Sequence, residues 1–373
     1  MRAGIWVAVA AALVFMAWEE NMAVAQVQGK YVVVTVKNPE YQANEIFLAH
    51  EDFYSPRMAE LRNKYGIDQA VAGKTDEWDR ILALRHWIKS KIRIDNEHPM
   101  GTRGDAFGIL DGALAGGGFH CAHFSIVEHA VMNSYGYVTR RMGTGPGLKE
   151  RGGHHGVNEV WVNKFSKWVL VDAKYDLHFE KDGVPLSALE IRDEIWKDDA
   201  KSVVRCFGPE RKPTTDDYPT ESFGPTADTY RWLSWETTTN HFTAFPAPMT
   251  STLVMYDDQI FRDNVWYRDG KPHWAYNTPF LFKCPNRGWI YWTPNVISSR
   301  VRLQGEGATV ALTSFTPNFR SYQMKTGDGA WTDCGEQVQL PLAQKSNPFT
   351  FRTVNLFGVT GPEHRVQIDW QKG

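Results

Sequence analysis

His155-Gly156-Val157-Asn158-Glu159-Val160-Trp161-Val162, Asn163-Lys164-Phe165-Ser166, Lys167-Trp168-Val169-Leu170-Val171-Asp172: two β-prone apolar runs flank a short polar turn and read as a hairpin. Side chains alternate along a strand, so positions 155, 157, 159 and 161 share one face. An even turn pairs Val162 with Lys167 and sets Val157 opposite Asp172. His155 then lies diagonal to Asp172 on the same face, within side-chain reach. An odd turn would send Asp172 to the other face. The expectation is an even turn, with imidazole and carboxylate brought together.

Upstream, Ala113 to Gly118 is rich in Ala and Gly and breaks regular structure. Cys121 follows, and Phe124, Ile126, Val127, Ala130, Val131 and Met132 continue as an apolar helix, which puts Cys121 at or near its N-terminus. A free thiol ionises near ~8.5. Free N–H groups at a helix start and an adjacent imidazole both lower that value. Gly116-Gly117-Gly118 lets backbone approach closely and leaves N–H groups to face a developing oxyanion. Tyr137 to Thr139 reads as a short strand, and residues 143–153 as a Gly- and charge-rich loop leading to His154 and His155.

Four segments together resemble the transglutaminase-like branch of the papain-like cysteine enzymes: Gly118-Phe119-His120-Cys121-Ala122-His123-Phe124, Gly136-Tyr137-Val138-Thr139-Arg140-Arg141, His155-Gly156-Val157-Asn158-Glu159-Val160-Trp161 and Trp168-Val169-Leu170-Val171-Asp172. The resemblance spans about residues 55–206. It implies Cys121 as nucleophile, His155 as general base and Asp172 as its orienter, with His155 preferred to His154 because it stands four residues before Glu159. Trp87, Gly118, His120, His154, Glu159 and Tyr175 are the further candidates for oxyanion or substrate contacts. Three departures stand out. Val157-Asn158 replaces the usual aromatic after His, no Gln lies just upstream of Cys121, and Ala173 follows Asp172 where Pro is usual.

The expected fold class is α+β: a papain-like transglutaminase core, its helix-borne Cys packed on an antiparallel sheet, followed by an all-β sandwich resembling immunoglobulin or fibronectin modules. Helices are expected from Pro56 to Tyr65, from about Glu77, and between Pro185 and Asp199, and a strand over 31–36. Short β-prone runs recur at 252–256, 289–292, 301–303, 308–312, 349–354 and 366–370, and 322–331 reads as a hairpin. The expected division is 1–25 signal peptide, 26–54 N-terminal strand segment, 55–206 catalytic core, 207–227 linker or cleft-covering loop, and 228–373 β-rich region.

The signal-peptide reading rests on Arg2, the apolar run Gly4 to Phe15 and the small-x-small triplet Ala23-Val24-Ala25. It predicts a periplasmic or secreted protein with no membrane span after cleavage. Among 373 residues, 42% hydrophobic and 23% charged composition suits a chain with a real core, and a net charge of −2 gives no basic field for nucleic acid. The 15 Trp read first as core and sandwich layers, and second as sugar-stacking platforms. Cys284 and Cys334 are the expected disulfide. His120, His123, His154 and His155 beside Cys121 form no recognisable ligand set, so no metal and no cofactor are expected. Asp172, Lys174 and Asp176 read as alternating along a strand, a pattern that does not make a glycosidase. The expected function is cleavage or transfer of an amide-linked acyl group through a Cys thioester, on a peptide, protein, cell-wall or polysaccharide partner. The alternatives are a lyase-type polysaccharide enzyme using His155 and Tyr175, and a silent glycan- or cell-wall-binding module. No signal for an oligomeric state is present.

Overall fold

The computed structural model describes residues 31–47, 49–101, 104–145, 155–213, 227–245, 252–264, 267–268, 271–272 and 281–371. The signal-peptide segment, His154 with the loop 146–154, and residues 214–226 of the expected linker lie outside them.

Four helices build one side of the core: α1 (Pro56–Tyr65), α2 (Glu77–Lys91), α3 (Ala106–Leu114) and α4 (Cys121–Ser134). Local chemistry sets their starts. Pro56 occupies the first turn of α1, where a missing N–H costs nothing. The Asp76 carboxylate accepts from Trp78 and Asp79 N–H groups at the head of α2. Asp105 does the same for Gly108 in α3, a helix the sequence reading did not anticipate. A later helix, α5 (Ala188–Asp198), opens with a full capping box between Ser187 and Glu190.

The central sheet comprises β1 (Thr139–Gly145), β2 (His155–Val162), β3 (Lys167–Val171), β4 (Trp232–Glu236), β5 (Leu253–Tyr256) and β6 (Leu281–Cys284), in the order β6-β5-β4-β1-β2-β3. β1 runs to Gly145, past the expected short strand, because Gly145 lets the Trp232 ring lie against the backbone; a Cβ there would collide with it. The β2–β3 hairpin pairs Val162 with Lys167 and Asn158 with Val171 across a four-residue turn, the even length expected.

Each face of this hairpin enters a different core. Val160, Val162, Val169 and Val171 join α1, α2 and α4 in one apolar cluster. Val157, Trp161, Trp168 and Leu170 join α5 and the aromatic side chains Phe179, Tyr230, Trp235 and Trp292 in a second. Trp78, Trp161, Trp168, Trp235 and Trp292 are fully buried, so these five serve the cores rather than sugar platforms.

The expected boundaries at 206 and 228 do not separate sheets. β4, β5 and β6, all after residue 228, extend the central sheet. The true sandwich begins at the strand Ile297–Gln304. A five-stranded and a three-stranded antiparallel sheet enclose a third core containing Val310, Tyr322, Leu340, Phe351 and Ile368. The strand Tyr31–Val34 pairs with His364–Trp370, so the N-terminal segment completes the C-terminal sandwich. Residues 287–290 form a short helix instead of starting the expected strand at 289–292, because the Asn286 side chain accepts from Gly288 and Trp289 N–H groups. The expected Cys284–Cys334 bridge is absent. All four cysteines are free; Cys284 lies in the central sheet and Cys334 at a sandwich edge.

Glu159 ties these layers together. Its carboxylate is buried and takes two bonds from Arg140 at 2.7 and 3.1 Å, one from Trp235 Nε1 at 2.8 Å, one from Tyr291 Oη at 2.6 Å and one from Ala188 N–H at 2.8 Å. The Arg140 guanidinium stacks 4.0 Å from the Trp168 ring centroid. Glu159→Ala strands a buried cation and should destabilise the fold by about 3–5 kcal/mol in urea unfolding, whereas Glu159→Leu with Arg140→Met should lose clearly less. An E159A protein with the wild-type unfolding midpoint would contradict this assignment.

Candidate active site

α4 carries the thiol. Cys121 is its first residue, and the preceding His120 caps the helix, Nδ1 accepting from Ala122 N–H at 3.3 Å. Asn158 fastens α4 to β2. Its amide donates to Ser125 O at 3.0 Å and Glu128 Oε2 at 2.8 Å, and its Oδ1 accepts from Ser125 Oγ at 3.0 Å. The sequence signal for this role was a lone amide on a strand face otherwise filled by Val160 and Val162.

The hairpin register then delivers the other two groups. His155 Nε2 bonds Asp172 Oδ2 at 2.7 Å, and both residues are buried. With Nε2 engaged, Nδ1 is the nitrogen left for the thiol, and the Cys121 thiol hydrogen-bonds this ring. The backbone N–H of Gly156 donates to the same sulfur. Cys121, His155 and Asp172 therefore stand in one hydrogen-bonded row.

Asp172 opens a tight turn rather than an extending strand. Its backbone bridges Leu177, and its Oδ1 accepts from Lys174 N–H at 2.9 Å and Tyr175 N–H at 3.3 Å. Residues 173–176 form the turn, so Asp172, Lys174 and Asp176 do not alternate along a strand as read. Arg85, fully buried on α2, grips the turn from behind through Asp176 Oδ1 at 2.8 Å and Gly208 O at 3.0 Å.

Electrostatics follow from this geometry. Burial pushes the Cys121 thiol up. The His155 hydrogen bond and charge, the Gly156 N–H and the Lys174 charge outweigh it and leave the thiol at about 7. Burial pushes His155 down, yet Asp172 and Cys121 raise it to about 9. Between those values the pair is a thiolate and an imidazolium. Behind the row, burial and the nearby Asp172 charge hold the Glu128 carboxyl well above its usual range.

The remaining sequence candidates separate. Tyr175 lies over the site, its ring 5.6 Å from that of His155. Burial and the neighbouring charges of Asp172 and Cys121 hold its phenol protonated, which removes it as a base at neutral pH. Gly118 is in the short strand before Cys121, where a Cβ would strike Asp95 and Arg93 side chains. The N–H groups of Gly116 and Gly117 close the end of α3 on Ala113 and Gly112 carbonyls, so they do not face the site as expected. Trp87 packs on the helical core, with the Lys91 ammonium over its ring. Glu159 is the structural tie described above, and His154 lies outside the described residues. Sequence reasoning gave no sign that Lys174, whose N–H donates to Asp172, would be only 4% exposed.

Among the described residues, the group with metal-ligand proximity is His178, Glu180 and Cys206, away from His120 and His123. Arg85 bonds His178 Nδ1 at 2.8 Å, and Arg211 Nε donates to Glu180 Oε1 at 2.8 Å. Burial and Glu180 push the Cys206 thiol up to about 11. Two guanidiniums and a protonated thiol make this an ion network that disfavours a bound cation.

Residues 66–173 match the family model of the transglutaminase-like superfamily. No curated protein matches the chain. Among solved structures the chain is similar to a candidate cysteine protease from Cytophaga hutchinsonii, at 15% identity over 50% of this chain and 61% of that one, with a TM-score of 0.27. It thus spans less than two thirds of that protein. It is also similar to red sea bream transglutaminase, at 10% identity over 92% of this chain and 77% of that one, with a TM-score of 0.25.

The ion pair predicts a pH signature. Alkylation of Cys121 by iodoacetamide should rise with pH through a midpoint at about 7. In His155→Ala the midpoint should move up to about 8.5 or beyond, because burial remains and the counter-charge is gone. Mass mapping of the labelled peptide against pH reads both; equal midpoints in the two proteins would contradict the pairing.

Proposed function

We propose that the transglutaminase-like domain at residues 66–173 makes this protein a cysteine-type acyl-transfer enzyme that cleaves or transfers an amide-linked acyl group. The observation that carries this reading is the row Cys121–His155–Asp172, with the thiol at a helix N-terminus and the imidazole held by a buried carboxylate.

The chemistry follows from the charges. The Cys121 thiolate adds to the amide carbonyl carbon, and the carbonyl electron pair moves to oxygen. When the tetrahedral intermediate collapses, the C–N bond breaks, and the imidazolium of His155 gives its Nδ1 proton to the departing amine. The product is a thioester on Cys121 and a neutral His155. His155 then takes a proton from water, the hydroxide adds to the thioester, and the sulfur leaves as thiolate beside a restored imidazolium. A second amine in place of water gives transfer. Asp172 keeps the ring oriented and its charged form favoured throughout. Hydrolysis of peptide or isopeptide bonds is favoured over cross-linking, since water is the acceptor always at hand.

The N-terminal pattern of Arg2, the apolar run and Ala23-Val24-Ala25 supports export, and hence a peptide, protein or cell-wall substrate outside the cytoplasm. The protonated Tyr175 weakens the polysaccharide-lyase alternative.

Incubation with a library of peptide and isopeptide amides, followed by mass analysis of the Cys121 peptide, tests the reading. Wild type should show turnover and an acyl adduct that hydroxylamine removes. Cys121→Ala should abolish both, and Asp172→Asn should slow turnover by at least about 10²-fold. Turnover that survives Cys121→Ala, for instance on a uronic-acid polymer, would overturn it.

A further inference from the structure

In the turn that follows Asp172 stands a buried ammonium group with which no carboxylate among the described residues forms an ion pair. Lys174 is 4% exposed. Its N–H donates to Asp172 Oδ1 at 2.9 Å, so the carboxylate that holds His155 also fixes this backbone. Its Nζ donates to Asn96 Oδ1 at 2.8 Å and lies 4.9 Å from the centroid of the Tyr175 ring, which in turn lies 5.6 Å from the His155 ring. Among the described residues no carboxylate forms an ion pair with it. Among the described residues, Asn96 Oδ1 is the one acceptor its three N–H groups find.

A buried cation without a counter-ion is costly, so its placement needs an anion. Burial holds the Lys174 ammonium below its usual value, and the negative charges of Cys121 and Asp172 oppose that fall. Asp172 is already committed to His155 and to two backbone N–H groups. The other groups facing this corner do not supply or replace the interaction. His120, whose imidazole burial and the Lys174 charge keep neutral, caps α4. Lys89 on α2 lies over Phe124 and senses Asp172, Asp176 and Lys174, not the sulfur. Burial raises the Tyr175 and Tyr230 phenols and the Glu128 carboxyl, which disfavours a negative charge on each. The N–H groups of Gly116 and Gly117 are consumed in the end of α3, and Trp87 packs on the helical core.

We propose that Lys174 is the electrostatic partner of the negative charge at Cys121, holding the thiolate before attack and the carbonyl oxygen of the tetrahedral intermediate after it. The inference rests on the cysteine-enzyme reading above. When sulfur adds to carbonyl carbon, the charge passes from sulfur to oxygen within one small volume. An ammonium fixed by Asn96 and the turn backbone can face both in succession without moving or giving up its proton. It fills the place that the missing upstream Gln leaves open.

The test needs no known substrate. Iodoacetamide labelling of Cys121 is followed from pH 5 to 10 in wild type, Lys174→Gln and Lys174→Arg, with folding checked by near-ultraviolet circular dichroism. Lys174→Gln keeps a hydrogen-bonding end for Asn96 but removes the charge. Its midpoint should rise by about 1 pH unit, with about tenfold slower labelling at pH 6. Lys174→Arg should restore the wild-type midpoint, which a packing role would not. If Lys174→Gln does not fold, Asn96→Asp at its exposed position gives the ammonium a carboxylate and should raise the midpoint likewise. A wild-type midpoint near 8.5 would sink the activated-thiol reading itself. A low wild-type midpoint that neither Lys174→Gln nor Asn96→Asp shifts would overturn the role of Lys174 alone.

Discussion

The register of one hairpin governs this site. Val162 opposite Lys167 fixes the pairing of β2 with β3, and the four-residue turn makes that pairing even. Alternation then puts His155 and Asp172 on the same face, 2.7 Å apart at their bonded atoms. A slip of one residue would do more than separate them. With β2 held by its pairing to β1, it would turn Val169 and Val171 out of the helical core. Packing on two sides therefore enforces the register, and the placement of His155 against Asp172 inherits that rigidity.

The thiol is the point at which opposing effects are balanced. Burial alone would keep Cys121 protonated and inert, as it does for Cys206, which is pushed up to about 11. What distinguishes Cys121 is its surroundings: an imidazolium, a backbone N–H and a nearby ammonium, gathered at the start of a helix. Burial then has a second effect, because the low dielectric that penalises an isolated charge strengthens the attraction within a matched pair. Asn158 makes the balance possible by clamping α4 onto β2, and Arg85 by fixing the turn that carries Asp172 and Lys174.

Much of this was legible in the sequence, for reasons that can be named. The alternation of residues 155–172 is a local signal, and the start of α4 follows from the Gly run and the apolar spacing after Cys121. Other features were not local. Asn158 looked like a departure from a pattern, and only the approach of Ser125 and Glu128 gives it a purpose. Lys174 looked like one member of an alternating strand until the Asp172–Leu177 bridge closed a turn around it. The run at 289–292 has strong β propensity, but the Asn286 cap and burial of Ile290 favour a helical turn. The domain boundary was misplaced for a similar reason. β4 to β6 look like sandwich strands by composition, and only long-range pairing with β1 assigns them to the central sheet.

The central claim is that His155 rests as an imidazolium between two negative groups, the Asp172 carboxylate and the Cys121 thiolate. Nitrogen-15 NMR of the His155 ring at pH 8 addresses it directly. The account predicts that both ring nitrogens are protonated in the wild-type protein, and that the ring shifts toward a single neutral tautomer when Cys121 is replaced by Ala. A neutral ring at pH 8 in the wild type, unchanged by that replacement, would contradict it.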